Sequence, residues 1–69
     1  MNMKKLGLNI KAERSRKDLS QAKLSEKINI SVNSISAIER GVQIPNAVTI
    51  YNIAKVLQVS LDELFKDVE

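Results

Sequence analysis

The sequence predicts an all-α fold: a compact five-helix domain whose second and third helices form a helix-turn-helix. Three observations lead there. Only two glycines and one proline interrupt the 69 residues, and no strand-like alternation persists. One start signal recurs: an apolar residue, a serine, and a second apolar residue four positions after the serine. It occurs as Leu19-Ser20 with Leu24, as Ile30-Ser31 with Ile35 and as Val59-Ser60 with Leu64. Third, only Asn29-Ile30-Ser31 separates two short helical stretches, and so tight a turn forces the helices to cross steeply.

Each element follows from local signals. α1 is expected from about Lys4 to Lys17, with Leu6, Ile10 and Arg14 along one stripe. α2 is expected over Gln21 to about Ile28 and α3 over Val32 to about Arg40, with Gly41 as its C-terminal cap. Ser20 and Ser31 cap their starts, because a serine oxygen accepts from an amide that has no partner within the helix. The flanking apolar pair staples the entering chain to the first turn. Asn46, after Pro45, caps α4 over Ala47–Leu57, where Ile50, Ile53, Ala54 and Leu57 fall on one face. α5 runs from Leu61 to about Lys66; Ser60 with Glu63 three residues on makes a capping box. The chain reads as one domain over 1–69, with the helix-turn-helix over about 21–40 and α4–α5 over about 47–66.

Composition narrows the function classes. A chain of 69 residues buries a modest core, so support from a second subunit or a bound partner is plausible. There is no cysteine, hence no disulfide or thiolate metal site, and no histidine, the commonest metal ligand and general base. Glycine-rich phosphate loops and paired interior acids are missing too. An enzyme is therefore not expected, nor a cofactor, a metal or a small-molecule ligand. No apolar run approaches the roughly 20 residues that span a bilayer, and no secretory segment follows the basic start. The expected setting is cytoplasmic and nucleoid-associated, away from membranes.

Charge is unevenly placed. Residues 1–40 carry nine Lys/Arg against four Asp/Glu, a net +5, whereas residues 41–69 carry two against four, a net −2. Such polarity suits a polyanion on one side.

α3 shows where that polyanion would lie. At about 100° per residue, Ile35 and Ile38 define the buried face. Asn33, Ser36, Ala37 and Arg40 fall opposite, with Val32 at the margin. This outer face has short side chains and no acid, so it can approach base edges closely. Asn33 is suited to pair with adenine, and Val32 and Ala37 to pack on thymine methyls; Ser36 suits a base or a phosphate. An ordinary solvated face would carry more Lys and Glu. Glu39 falls close to the buried face and needs a partner there. Arg14, one turn beyond Ile10, is expected to supply it, tying α1 to α3. Asn29 sits where the turn requires a left-handed residue, which asparagine tolerates. Ser25 is small where α3 passes close to α2.

With those residues in place, the stretch from Ile10 to Phe65 resembles the lambda-repressor-like, or Xre, helix-turn-helix family. The segments Ile10-Lys-Ala-Glu-Arg14, Leu19-Ser-Gln-Ala-Lys-Leu24 and Ile35-Ser-Ala-Ile-Glu-Arg-Gly41 carry the resemblance. Pro45 and the run from Ile53 to Phe65 extend it. The resemblance implies a transcription regulator bound to double-stranded DNA. It implies that Gln21 holds a phosphate, that Val32, Asn33, Ser36 and Ala37 face bases, and that Arg40 and Gln43 follow the DNA backbone. Ser31, at the N-terminus of α3, joins the phosphate set because helix N-termini favour anions. The Arg14–Glu39 pair is also a family feature. Asn29 stands where glycine is usual, Ser25 where alanine is usual, and the outer face of α3 lacks the common glutamines, leaving the target sequence open.

One short helix reads too few base pairs to choose a site, so a homodimer on a palindromic operator is expected. The interface belongs to the C-terminal third, where Tyr51, Val56, Val59, Leu61, Leu64, Phe65 and Val68 offer more apolar surface than one small core absorbs. Leu61 and Phe65 are its first candidates. RNA polymerase or a regulatory protein is a possible further partner. The competing reading is a protein-interaction module of the same fold, such as an antitoxin or an adaptor.

Overall fold

The computed structural model describes all 69 residues. It contains five helices and no strand: α1 Met3–Arg16, α2 Gln21–Ile28, α3 Val32–Glu39, α4 Ala47–Leu57 and α5 Leu61–Leu64. Polar side chains cap every start. The Ser20 hydroxyl accepts from the Lys23 amide at 2.9 Å, the Ser31 hydroxyl from that of Ser34 at 3.0 Å, and Asn46 Oδ1 from that of Thr49 at 2.8 Å. Ser60 and Glu63 form the reciprocal box, with bonds of 2.9 and 3.0 Å. The bond from the Ser60 amide holds the exposed Glu63 carboxyl below its usual range.

The helix ends differ slightly from the sequence expectation. α1 begins at Met3 because Asn2 caps it, accepting from the Lys5 amide at 3.0 Å. α3 ends at Glu39, with Arg40 as its cap and Gly41 at φ 79. α5 is a single turn rather than a helix reaching Lys66. Asn9 Nδ2 donates to the carbonyls of Leu64 and Lys66 at 2.8 and 2.9 Å, and Asp67 turns left-handed at φ 61. Those carbonyls are satisfied by α1, so the helix has no need to continue.

One cluster of buried aliphatic side chains holds the helices together. α1 contributes Leu6 and Ile10, α2 Leu24, α3 Ile35 and Ile38, and α4 Ile50, Ile53, Ala54 and Leu57. Leu64 and Val68 close it from the C-terminus. Each large member contributes roughly 1.5–3 kcal/mol on leaving water. α3 packs against both α2 and α1. The contact with α1 is made through backbone: a Cβ on buried Gly7 would collide with the carbonyl oxygens of Ile38 and Glu39. No helix is long and apolar enough to cross a membrane.

Candidate nucleic-acid interface

α3 turns Ile35, Ile38 and Glu39 inward, so its opposite side is what the molecule presents. Val32 is 42% exposed, Asn33 is exposed, and Ser36 and Ala37 are half-buried. The two α3 N-terminal residues therefore project furthest, and the two one turn later lie lower between them and the loop. Ser31 is exposed, and its hydroxyl also donates to that of Ser34 at 3.1 Å. Exposed Arg40 leans back along the helix, its Nε 3.4 Å from the Ser36 hydroxyl. Ala37 anchors the following loop, its carbonyl accepting from the amides of Val42 and Gln43 at 3.0 and 3.3 Å. The Gln43 side chain is left in solvent.

Behind this face, Arg14 Nε meets Glu39 Oε2 at 2.7 Å, and a second guanidinium nitrogen meets Oε1 at 3.1 Å. The side chains are only 12% and 2% exposed. A two-point contact of this kind fixes orientation as well as charge. The remaining guanidinium nitrogen donates to the Leu19 carbonyl at 2.7 Å, so the pair also holds the α1–α2 connection. Gln21 enters the same network, its Nε2 donating to Glu39 Oε1 at 3.0 Å. No sequence signal pointed to that link, because it joins the first residue of α2 to the last of α3. No buried polar side-chain atom is left without a partner.

The turn that sets α3 against α2 is left-handed at Asn29, φ 60, and the Ile30 amide bonds the Ser25 carbonyl at 3.1 Å. Ser25 itself is buried; its hydroxyl donates to the Ala22 carbonyl at 2.7 Å, which satisfies it within α2. Two helices joined in this way, the second with a small polar outer face, match the pattern of a known family. The helix-turn-helix family pattern fits residues 10–64. The chain belongs to this family, of the lambda-repressor-like type.

Relatives of this helix-turn-helix protein are named as regulators. The uncharacterised HTH-type transcriptional regulator YazB of Bacillus subtilis is 40% identical over 58 residues, which is 84% of each chain. Among solved structures, the restriction-modification controller protein C.AhdI from Aeromonas hydrophila superposes with a TM-score of 0.87 at 28% identity, covering 91% of this chain and 96% of that one. The P22 c2 repressor protein, solved in complex with a synthetic operator, has a TM-score of 0.83 at 34% identity, over 88% and 92% of the two chains.

The C-terminal apolar residues divide. Leu64 and Val68 belong to the core, and Val56, Val59 and Phe65 pack partly against it. Tyr51 and Leu61 remain 57% and 44% exposed, and with Ala54, Lys55 and Val59 they border a shallow, mostly apolar depression. Phe65 thus has a share in the monomer's own packing, whereas Leu61 is freer to meet a partner.

Proposed function

We propose that this helix-turn-helix protein is a sequence-specific regulator of transcription that binds duplex DNA as a homodimer on a palindromic operator. The observation that carries the reading is the outer face of α3. Val32, Asn33, Ser36 and Ala37 share one side of a helix whose other side is fixed by the core and by the Arg14–Glu39–Gln21 network. A rigid helix with short side chains suits the major groove, where Asn33 would read adenine and Val32 and Ala37 would meet thymine methyls. Gln21, Ser31, Arg40 and Gln43 would hold the flanking phosphates. Bound in this way, the dimer would act by blocking promoter DNA or by touching polymerase.

Selection of bound sequences from a random duplex library, with the solution mass measured alongside, tests the reading. A palindrome with half-sites about one DNA turn apart, recovered by a protein of dimer mass, is the expected result. Binding with no sequence preference would overturn it. A search for a protein partner of the exposed Tyr51–Leu61 surface would then take its place.

A further inference from the structure

α5 is a single turn over Leu61–Leu64, yet it carries Leu61, one border of the apolar depression that Tyr51, Ala54, Lys55 and Val59 complete. So short a helix has too few internal hydrogen bonds to hold a direction of its own. Beyond its covalent link to α4, two joints place it. One is apolar: Leu64 and Val68 enter the core, with Val59 and Phe65 packed against it. The other is polar and comes from α1, where half-buried Asn9 reaches the Leu64 and Lys66 carbonyls at 2.8 and 2.9 Å.

The two joints do different things. Apolar burial is non-directional, so Leu64 alone keeps α5 on the core but leaves it able to pivot. Hydrogen bonds are directional, and two from one amide stop the pivot. An asparagine amide nitrogen carries two N–H groups. Both acceptors here are carbonyls, so the end that faces them is the nitrogen, and both N–H groups are spent on this one segment. The gripped carbonyls flank Phe65, whose amide in turn donates to the Leu61 carbonyl at 2.9 Å. The grip therefore passes from Asn9 through the peptides around Phe65 to Leu61 within one hydrogen-bonded turn.

We propose that Asn9 is a positioning residue for self-association: its amide fixes the angle of α5 against α4, and so places Leu61 and Phe65 for a second copy of this chain. The proposal rests on the homodimer reading above and adds to it a residue of α1, outside the apolar depression itself. In a two-fold interface the same patch serves both subunits, so any tilt of α5 is felt twice.

The test compares the dimer dissociation constants of the full chain and of Asn9→Ala, Asn9→Asp and Ile35→Val. Sedimentation equilibrium supplies them, at a temperature where circular dichroism shows every variant fully folded. Asn9→Asp keeps the shape of the side chain and removes both donors. Ile35→Val trims the core on α3 and leaves the clasp intact. Either Asn9 variant should raise the dissociation constant by about tenfold or more, while Ile35→Val should leave it unchanged. Asn9 variants that dimerise like the parent would overturn the positioning role and leave the dimer reading standing. Equal weakening by Ile35→Val would show that Asn9 acts through monomer stability alone, and would overturn the role as well. A parent chain of monomer mass at every concentration would sink the dimer reading and this role with it.

A cycle with Leu61→Ala tests the route. Asn9→Ala should weaken association in the parent chain and add little once Leu61 is alanine. Full additivity would show that Asn9 does not act through Leu61, and would overturn the route. Amide exchange gives a local check in the folded protein. The Val68 amide, bonded to the Phe65 carbonyl at 3.0 Å, should exchange faster in Asn9→Ala, and the Ile30 amide of the α2–α3 turn should not change. Unaltered exchange at Val68 would show that α5 keeps its place without the clasp, again overturning the role.

Discussion

Replacing Glu39 by alanine would leave the Arg14 guanidinium almost enclosed and without its carboxylate. Breaking a buried pair from one side costs about 3–5 kcal/mol, a large share of what a small domain has in total. The melting temperature of Glu39→Ala should fall by about 10 °C or more, read by circular dichroism; a fall under about 2 °C would show that solvent reaches the pair. Asn33 is the opposite case, exposed and free of any contact that the fold needs. Asn33→Ala should leave melting unchanged and cost about 1–3 kcal/mol in operator binding, with preference relaxed at one base pair. Equal weakening on every sequence would make Asn33 a phosphate contact. The two residues share one short helix, yet one serves the scaffold and the other its ligand.

At the scale of elements, the turn between α2 and α3 depends on Asn29. Its φ of 60 is open to asparagine and glycine but strains a residue with an ordinary Cβ. Asn29→Ala should lower stability by about 1–2 kcal/mol, whereas Asn29→Gly should stay close to the parent in a denaturant titration. Matched losses would mean that the asparagine side chain, not the backbone angle, is what matters. Four of the five helix starts were legible because each has a polar cap before an apolar periodic run. The Asn29 turn was legible for a similar reason, since few residue types adopt that angle. Long-range polar closures were not. Asn9 ending α5 and Gln21 reaching Glu39 join residues 55 or more and 18 positions apart, and periodicity says nothing of such pairs.

The whole molecule is small, with a radius of gyration of 10.4 Å and a longest extent of 29 Å. On the dimer reading, the exposed Tyr51 and Leu61 are the surface that a second copy would cover. Leu61→Lys should then shift sedimentation from dimer to monomer mass and weaken operator binding while leaving the monomer's helicity intact. A variant that stays dimeric would move the interface elsewhere on the surface. The C-terminal apolar set could not be divided from sequence, because Leu64 and Leu61 are equally apolar on paper. Only the closure of α1 over α5 shows that the first is enclosed and the second open.

Both glycines of the chain lie on one seam. Gly7 abuts the carbonyls of Ile38 and Glu39, and a Cβ on Gly41 would run into the backbone of Lys4. A joint made of backbone against backbone has no side-chain cushion to absorb small displacements. The end of α3 is thereby indexed to α1 as a tool is to its collet, and the outward residues take no part in the clamping. Their identities can drift from one descendant to another without loosening the mount, so lineages sharing this seam are free to diverge in what they recognise while inheriting the same handle.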